Sequence, residues 1–495
     1  MLSSEIRSSA AVSGFTMAQA RDIAALGAFL DVQTDRPTLG LVYGRRRIGK
    51  STLLAGEVER RGGFYFEATR VEAAVHLERL GAALGEHLGV GRIELRSREE
   101  ALTQLVRLGR DESIPVVLDE FGYLLEADAS LPSQIASTLG PSGRSRGAGR
   151  ARLVLCGSAI AMMRSLTAGE AALRGRAGLE LVMLPDDYRV AASRLTDPAD
   201  LSVAVRVFTV IGGVVGYATD MVDFDLPDDM ADVDRWIVQR VLSPAATLHQ
   251  EATTLLAEDP ALAAADPVLH HSILGAIATG SVTAGRIASR LGRQVSNLAP
   301  ALGRLVDAGF VMRHEDPIRK QRPTYALADP YLQFHYAILE PHRSRLRSRD
   351  PRTLWTQRLT EVFDSRVRGP VFEQVARTFV ERFASDDTVP GERAHVGPSR
   401  LTSQGNEWEL DLVVTDHHAD PATRRVTAIG EAKAGERIGR RHLDRLVEAR
   451  RRLGPRADGA RLLLVGSTFD DDLLADSEGR HDLEVVDLER LYHGD

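Results

Sequence analysis

Between an apolar run, TLGLVY, and a helical pattern, STLLAGEVERR, the chain carries the octet GRRRIGKS at residues 44–51. No other feature narrows the possible folds as much. The octet satisfies G-x-x-x-x-G-K-[ST] in full, a spacing that suits a buried strand ending in a tight loop and running straight into a helix. Gly44 and Gly49 let the main chain wrap with its N–H groups inward, and the helix N-terminus adds the positive end of its dipole. The ligand such a loop suits is a phosphate chain. Lys50 supplies a point charge for the β- and γ-phosphates, and Ser51 a hydroxyl for Mg²⁺. Gly44, Arg45, Arg46, Arg47, Ile48, Gly49, Lys50, Ser51 and Thr52 are therefore the candidate ATP-binding residues. The alternative, a chance match in a glycine-rich loop, is opposed by the scarcity of lysine. Of 62 basic residues only Lys50, Lys320 and Lys433 are lysine. A coding bias towards Arg and Ala removes lysine wherever arginine serves. Survivors then mark places where a compact ammonium is needed and a planar guanidinium fails.

The surrounding pattern alternates strand and helix. FYFEA, IPVVLDE and ARLVLCGS are short apolar runs bounded by turn signals, with VEAAVHLERLGAALGEHL between the first two. That order indicates a parallel α/β sheet covered on both faces. IPVVLDE delivers Asp119 and Glu120 at a strand's C-terminal end, where such sheets place their sites. Asp119 is the candidate Mg²⁺ ligand and Glu120 the group that polarises the attacking water. An acidic pair can end any strand; beside the loop at 44–51 it gains meaning. ARLVLCGSAI ends in Cys156-Gly157-Ser158, and Ser158 is the candidate sensor of the γ-phosphate, against a plain strand-end turn. Arg174 and Arg176 are candidate arginine fingers, with surface charge as the alternative; Arg176 is the one assigned to the site.

Taken together, YGRRRIGKS (43–51), VVLDEF (116–121) and LVLCGS (153–158) resemble the archaeal-type ATPase family, a branch of the STAND/AAA-like P-loop class also found in bacteria. IGGVVGYATDM (211–221) is similar to that family's GGVP-Y segment, except that Val215-Gly216 stands in the proline region, which leaves the local turn open. DPYLQFHYAIL (329–339) extends the likeness. The resemblance implies ATP hydrolysis, a winged helix, and a C-terminal domain of restriction-endonuclease type.

The C-terminal residues bear on that last point independently. GNEWELDLVVTD (405–416) and RRVTAIGEAKA (424–434) both read as strands. Alternation puts Glu431 and Lys433 on one face, and a hairpin would bring Asp411 beside Glu431. Two carboxylates there suit Mg²⁺, with Lys433 to orient water and steady charge on phosphorus. This arrangement resembles the D…ExK core of the PD-(D/E)xK nucleases. Glu373, in PVFEQVARTFV, matches the acid that superfamily carries on an upstream helix, and Glu409 is a further candidate on the face of Asp411. The candidate catalytic residues are thus Glu120, Asp411, Glu431 and Lys433, and the candidate metal ligands Ser51, Asp119, Glu373, Asp411 and Glu431. A salt-bridged strand pair without catalysis is the alternative.

Between these ends, TAGRIASRLGR and VSNLAPALGRLVDAGFV read as successive helices, and VMRHEDPIRKQRPTYAL as a hairpin bearing Arg319, Lys320 and Arg322. This resembles a winged helix-turn-helix, with the second helix for a major groove and the hairpin for phosphates. The competing reading is a module that packs within the protein and transmits nucleotide state. Pro300 is expected in the second helix's first turn. The expected organisation is a disordered N-terminus (1–16), with Met17 an alternative start, a P-loop domain (17–200), a helical segment (201–267), a winged helix (268–329), an Arg-rich connector (330–369) and a nuclease-like domain (370–495). The basic loop 141–150 reads as solvated. A net charge of −7 requires any DNA contact to come from a local basic surface. One cysteine, no membrane-length apolar run and no signal-peptide pattern point to a cytoplasmic protein whose partners are ATP and DNA, without a membrane and with room for a homo-oligomer.

Overall fold

The computed structural model describes residues 17–32, 34–140, 150–195, 197, 200–403 and 406–495, so the N-terminal stretch and nearly all of the basic loop at 141–150 lie outside the described residues. The chain forms two compact units. The first runs to Asp186 and takes in two later segments, Val214–Gly216 and Ala257–Ala265; the second comprises Asp187–Gly213, Tyr217–Leu256 and Asp266–Asp495.

The first unit is built on five parallel strands: β1 (Thr38–Tyr43), β2 (Phe64–Glu67), β3 (Pro115–Asp119), β4 (Arg152–Gly157) and β5 (Ala177–Val182). Their order across the sheet is β2-β3-β4-β1-β5. Every residue of β3 and β4 is buried, as a central parallel strand covered by helices on both faces requires. The register sets Tyr43 beside Gly157 and Glu67 beside Asp119. The carboxyl ends of the central strands therefore finish close to level. The helix Lys50–Arg61 starts directly after Gly49, whose φ of 93° only glycine adopts without strain, and stops at Gly62 in the left-handed region.

The second unit holds a mixed sheet of β8 (His395–Ser403), β9 (Asn406–Thr415), β10 (Val426–Lys433), β11 (Arg461–Gly466) and β12 (Leu483–Val486), in the order β12-β11-β10-β9-β8. β8, β9 and β10 form an antiparallel meander. β10, β11 and β12 are parallel and are linked through the helices Arg440–Leu453 and Asp471–Glu478. The helix Gly369–Arg382 precedes the sheet and rests on β8, β9 and β10.

The same unit contains three helices, Pro267–Ala278, Ala284–Arg290 and Val295–Asp307, followed by the ribbon β6 (Val311–His314) and β7 (Thr324–Leu327). One expectation about this region fails. Pro300 lies well inside the helix Val295–Asp307, not in its first turn. The bond it cannot make is to the carbonyl of Ser296, an exposed residue, so water reaches that acceptor and the helix continues. The hairpin's tip is partly engaged within the second unit, while Lys320 and Arg322 stay exposed. Ile318, 2% exposed, joins the core beneath the C-terminal sheet with Leu410, Val413 and Ile429. Arg319 donates to the carbonyl of Arg400 at 2.7 Å, and Lys320 pairs with Asp420 at 2.8 Å. Among the described residues, no helix is long and apolar enough to cross a membrane.

Candidate functional site

Close approach fixes the loop after β1. A Cβ on Gly44 would lie 2.2 Å from the carbonyl oxygen of Met183 and 2.5 Å from Ile48, so only glycine fits where the loop leaves the sheet. Ile48 is buried and anchors the loop from below. Lys50 is 6% exposed, and its Nζ donates to the carbonyls of Gly44 at 2.9 Å and Arg45 at 2.8 Å. Its ammonium is curled under the loop that the helix N-terminus completes. Burial lowers the lysine's pKa from its ordinary value, partly offset by the charges of Glu120 and Asp119.

Beside the lysine, the strand order places β4 between β1 and β3. Ser158 follows β4 and so stands between the loop and the acid pair. Asp119, 1% exposed at the end of β3, accepts from Ser51 Oγ at 2.6 Å, from the Tyr65 hydroxyl, and from the Glu120 N–H at 2.8 Å. Burial pushes its carboxyl up, but hydrogen bonds from Cys156, Ser51 and Tyr65 outweigh that and hold it ionised below its usual range. Glu120 goes the other way. Burial and the neighbouring Asp119 raise its pKa, against the pull of Lys50 and Arg46, and Ser158 Oγ donates to it at 3.2 Å. Two adjacent carboxylates thus have opposite tendencies, one a fixed anion and one a proton acceptor. Glu120 also adopts φ 49°, ψ 46°, a left-handed conformation costly for a side chain with a Cβ.

The Ser51 hydroxyl and the Asp119 carboxylate form a hard oxygen pair of the kind Mg²⁺ takes, so the residues present fit that ion. Arg46 is half-buried and pairs with Glu258. Arg47 has a φ of 65°, and its carbonyl accepts from Gly216 N–H at 2.8 Å. The turn that Val215-Gly216 left open in the sequence therefore closes onto the loop, with Val215 at van der Waals distance from where a Gly49 Cβ would be. Thr52 is exposed on the first helical turn.

Arg176 is not brought to this site. It precedes β5, whose start is level with Leu39, whereas the loop leaves the opposite end of β1 after Tyr43. About five residues of strand, roughly 16 Å at the usual rise, separate the two levels. Arg174 instead donates to the carbonyl of Gly169. Tyr65 and Glu258 were not foreseen. Both come from elements whose neighbours only the strand order and chain return reveal.

In the second unit, Asp411, Glu431 and Lys433 do meet. Leu412 pairs with Gly430, so Asp411 falls next to Glu431 at the following step. Lys433 Nζ lies 3.1 Å from Asp411 Oδ2 and 3.2 Å from Glu431 Oε1, and Asp411 Oδ2 also accepts from the Ala432 N–H at 3.0 Å. Both acids are buried. Burial disfavours the Lys433 ammonium, but the charges of Asp411 and Glu431 outweigh it and hold the pKa above its ordinary value. Glu373 faces the cluster from the helix Gly369–Arg382; burial and the charge of Asp411 push its carboxyl up to about 8.

The three acids do not form one metal cage. Among the described residues, no three His, Cys, Asp or Glu side chains are grouped to hold a metal. Two counter-charges lie among these acids. Lys433 spans Asp411 and Glu431, while buried Arg377 stands 3.9 Å from Glu373 and donates to the carbonyl of Asp411 at 2.8 Å. Asp411 and Glu431 remain an oxygen pair that fits Mg²⁺. Glu409 points to Arg400 at 2.7 Å instead. Arg377 and Arg445, whose guanidinium lies 3.9 Å from Glu431, escaped the sequence reading. The i,i+4 spacing of Glu373 and Arg377 was the one available signal.

The parallel sheet, its glycine loop and its acid pair fit the P-loop NTPase α/β fold. No protein-family model matches the chain. It is similar to the uncharacterized protein MJECL04 of Methanocaldococcus jannaschii, with 22% identity over 375 residues, spanning 75% of this chain and 78% of that protein. Among solved structures it is similar to the Walker-type ATPase PABY2304 of Pyrococcus abyssi, with a TM-score of 0.44 and 19% identity, covering 64% of this chain and 95% of that one. It is also similar to the Aeropyrum pernix ORC2 protein, with a TM-score of 0.42 and 16% identity over 68% and 95% of the two chains.

Proposed function

We propose that the protein is an ATP-binding and ATP-hydrolysing switch, coupled through a winged-helix module (268–329) to a PD-(D/E)xK-type domain (370–495) that cleaves DNA with Mg²⁺. The observation that carries the first half is the buried Lys50 ammonium held under its own loop, with Ser51 and Asp119 in contact beside it. In this reading Lys50 trades its carbonyl partners for phosphate oxygens. Ser51 and Asp119 hold the magnesium ion, which supplies charge neutralisation at the phosphates. Glu120 accepts the proton of the attacking water, and Ser158 fixes the Glu120 carboxyl. In the second unit, Asp411 and Glu431 would hold magnesium, and Lys433 would orient the water. The cytoplasm is the expected compartment.

A second reading, a nucleotide-gated DNA-binding or scaffold protein with a catalytically silent C-terminal domain, draws on two observations. Lys433 and Arg377 already balance the acids, and the hairpin tip is tied down at Ile318 and Arg319. Two measurements separate the readings. Lys50→Ala should abolish ATP turnover; unchanged turnover refutes the loop assignment. Plasmid and linear DNA incubated with Mg²⁺ or Mn²⁺, with and without ATP, should be cut by the wild type and not by Lys433→Ala. Intact DNA under every condition favours the scaffold.

A further inference from the structure

The partner of Arg46 is unexpected on physical grounds. Glu258 is the last residue of the helix Glu251–Glu258, a position where the helix dipole disfavours an anion. The guanidinium of Arg46, within the phosphate loop, provides its counter-charge. Glu258 lies in a segment, Ala257–Ala265, that belongs to the first unit. Asp259 caps the turn Pro260–Ala263 by accepting from the Ala261 and Leu262 N–H groups, and Leu262 is 1% exposed. That turn rests on the helix Ile160–Ser165, which begins two residues after Ser158. A short strap, with Leu262 buried, thus rests on the helix Ile160–Ser165 and is clipped by Glu258 to the loop.

Arg46 has two acidic neighbours. It pairs with Glu258, and the charge of Glu120 also acts on it. An exposed Arg–Glu pair contributes at most about 1 kcal/mol. Guanidinium and phosphate form stronger, two-pronged, charge-assisted bonds. Competition for Arg46 therefore favours the phosphate whenever one is within reach.

We propose that Arg46 binds the terminal phosphate of a nucleoside triphosphate and that Glu258 is a built-in competitor for it, so that triphosphate binding unclips the strap 257–265. The proposal rests on the nucleotide reading of the loop and deepens it by assigning the triphosphate preference to Arg46 and its regulation to Glu258. A diphosphate, lacking the terminal group, would leave the clip closed. The strap is followed directly by Asp266, where a segment of the second unit begins.

The test is a double-mutant cycle on the full chain, read as binding of a non-hydrolysable ATP analogue and of ADP with Mg²⁺, for wild type, Glu258→Gln, Arg46→Ala and the double variant. Glu258→Gln should tighten the analogue roughly two- to fivefold when Arg46 is present, the scale expected for releasing one exposed ion pair. It should change ADP affinity little. In the Arg46→Ala background the same substitution should change analogue affinity less than about twofold. The ratio of analogue to ADP affinity, taken within each preparation, is independent of the folded fraction. Equal effects of Glu258→Gln in both backgrounds, or no effect in either, overturn the clip while leaving the nucleotide reading intact. Failure of the folded wild type to bind either nucleotide overturns that reading, and the clip with it.

Discussion

Glu120 concentrates the residue-scale logic of the first unit. It needs to sit past the end of β3, facing the loop, and the chain reaches that placement through a left-handed backbone at φ 49°. For a residue with a Cβ this costs on the order of 1–2 kcal/mol, and glycine avoids most of it. In the proposed reading, the local structure trades stability for the placement of this carboxylate. We expect Glu120→Gly to be more stable than Glu120→Ala by about 1 kcal/mol in denaturant unfolding, with both unable to turn over ATP. If the two variants unfold at the same midpoint, the backbone at this position is not strained. Asp119, one residue earlier, was legible because Walker-type acids follow an apolar strand. The tyrosine that orients it was not. Tyr65 sits in a run, FYFE, that declares only a strand; that β2 pairs with β3 in register Tyr65–Val117 is a property of the sheet order.

At the scale of elements, the sequence rendered the strands, the helices and the order of the motifs well, because each depends on local periodicity and on glycine placement. Lys433 could be paired with Glu431 from alternation alone, and with Asp411 from one assumed hairpin. What escaped was which surfaces are already covered. A basic hairpin reads as a phosphate-binding wing, yet its apolar residue, Ile318, is a core residue of the C-terminal sheet, and Arg319 is used by Arg400. Charge in a short segment does not say whether water or protein surrounds it. Where Arg176 lies was hidden for a related reason: its distance from the loop depends on which end of β5 it occupies, a matter of strand direction and register. Ile318→Ala should cost the second unit about 2–4 kcal/mol, the usual range for emptying a buried isoleucine site, with ATP binding intact. A free wing tip would lose nothing measurable. Arg319→Ala should likewise leave the salt dependence of DNA binding unchanged, whereas a true phosphate contact would lower the slope by about one.

For the molecule as a whole, buried histidines set how the second unit responds to acid. His335 is 1% exposed and lies between the rings of Tyr331 and Tyr336. Burial, with the nearby charges of Arg343 and of His271 and His249 when protonated, drives its pKa down to about 3. His314 is lowered to about 4, by burial and then by Arg377. For such groups the folded pKa lies below the unfolded value of about 6.5, so the unfolded chain binds the extra proton between the two. Their contribution is fully present above pH 6.5 and is lost as pH falls towards the folded value. Glu373, raised to about 8, acts in the opposite sense across part of this window, because its folded form holds a proton that the unfolded chain has released. The bulk pH profile therefore mixes signs, and a difference between variants isolates one group. His335→Phe keeps an aromatic ring between the tyrosines and removes the titration. Relative to wild type, it should gain about 1.4 kcal/mol for each pH unit below 6.5, or about 2 kcal/mol at pH 5, in denaturant unfolding of the second unit. Parallel stability curves for the two proteins between pH 7 and pH 5 would mean that His335 takes up a proton in the fold, and that Tyr336 and Glu340 shelter the charge instead of excluding it.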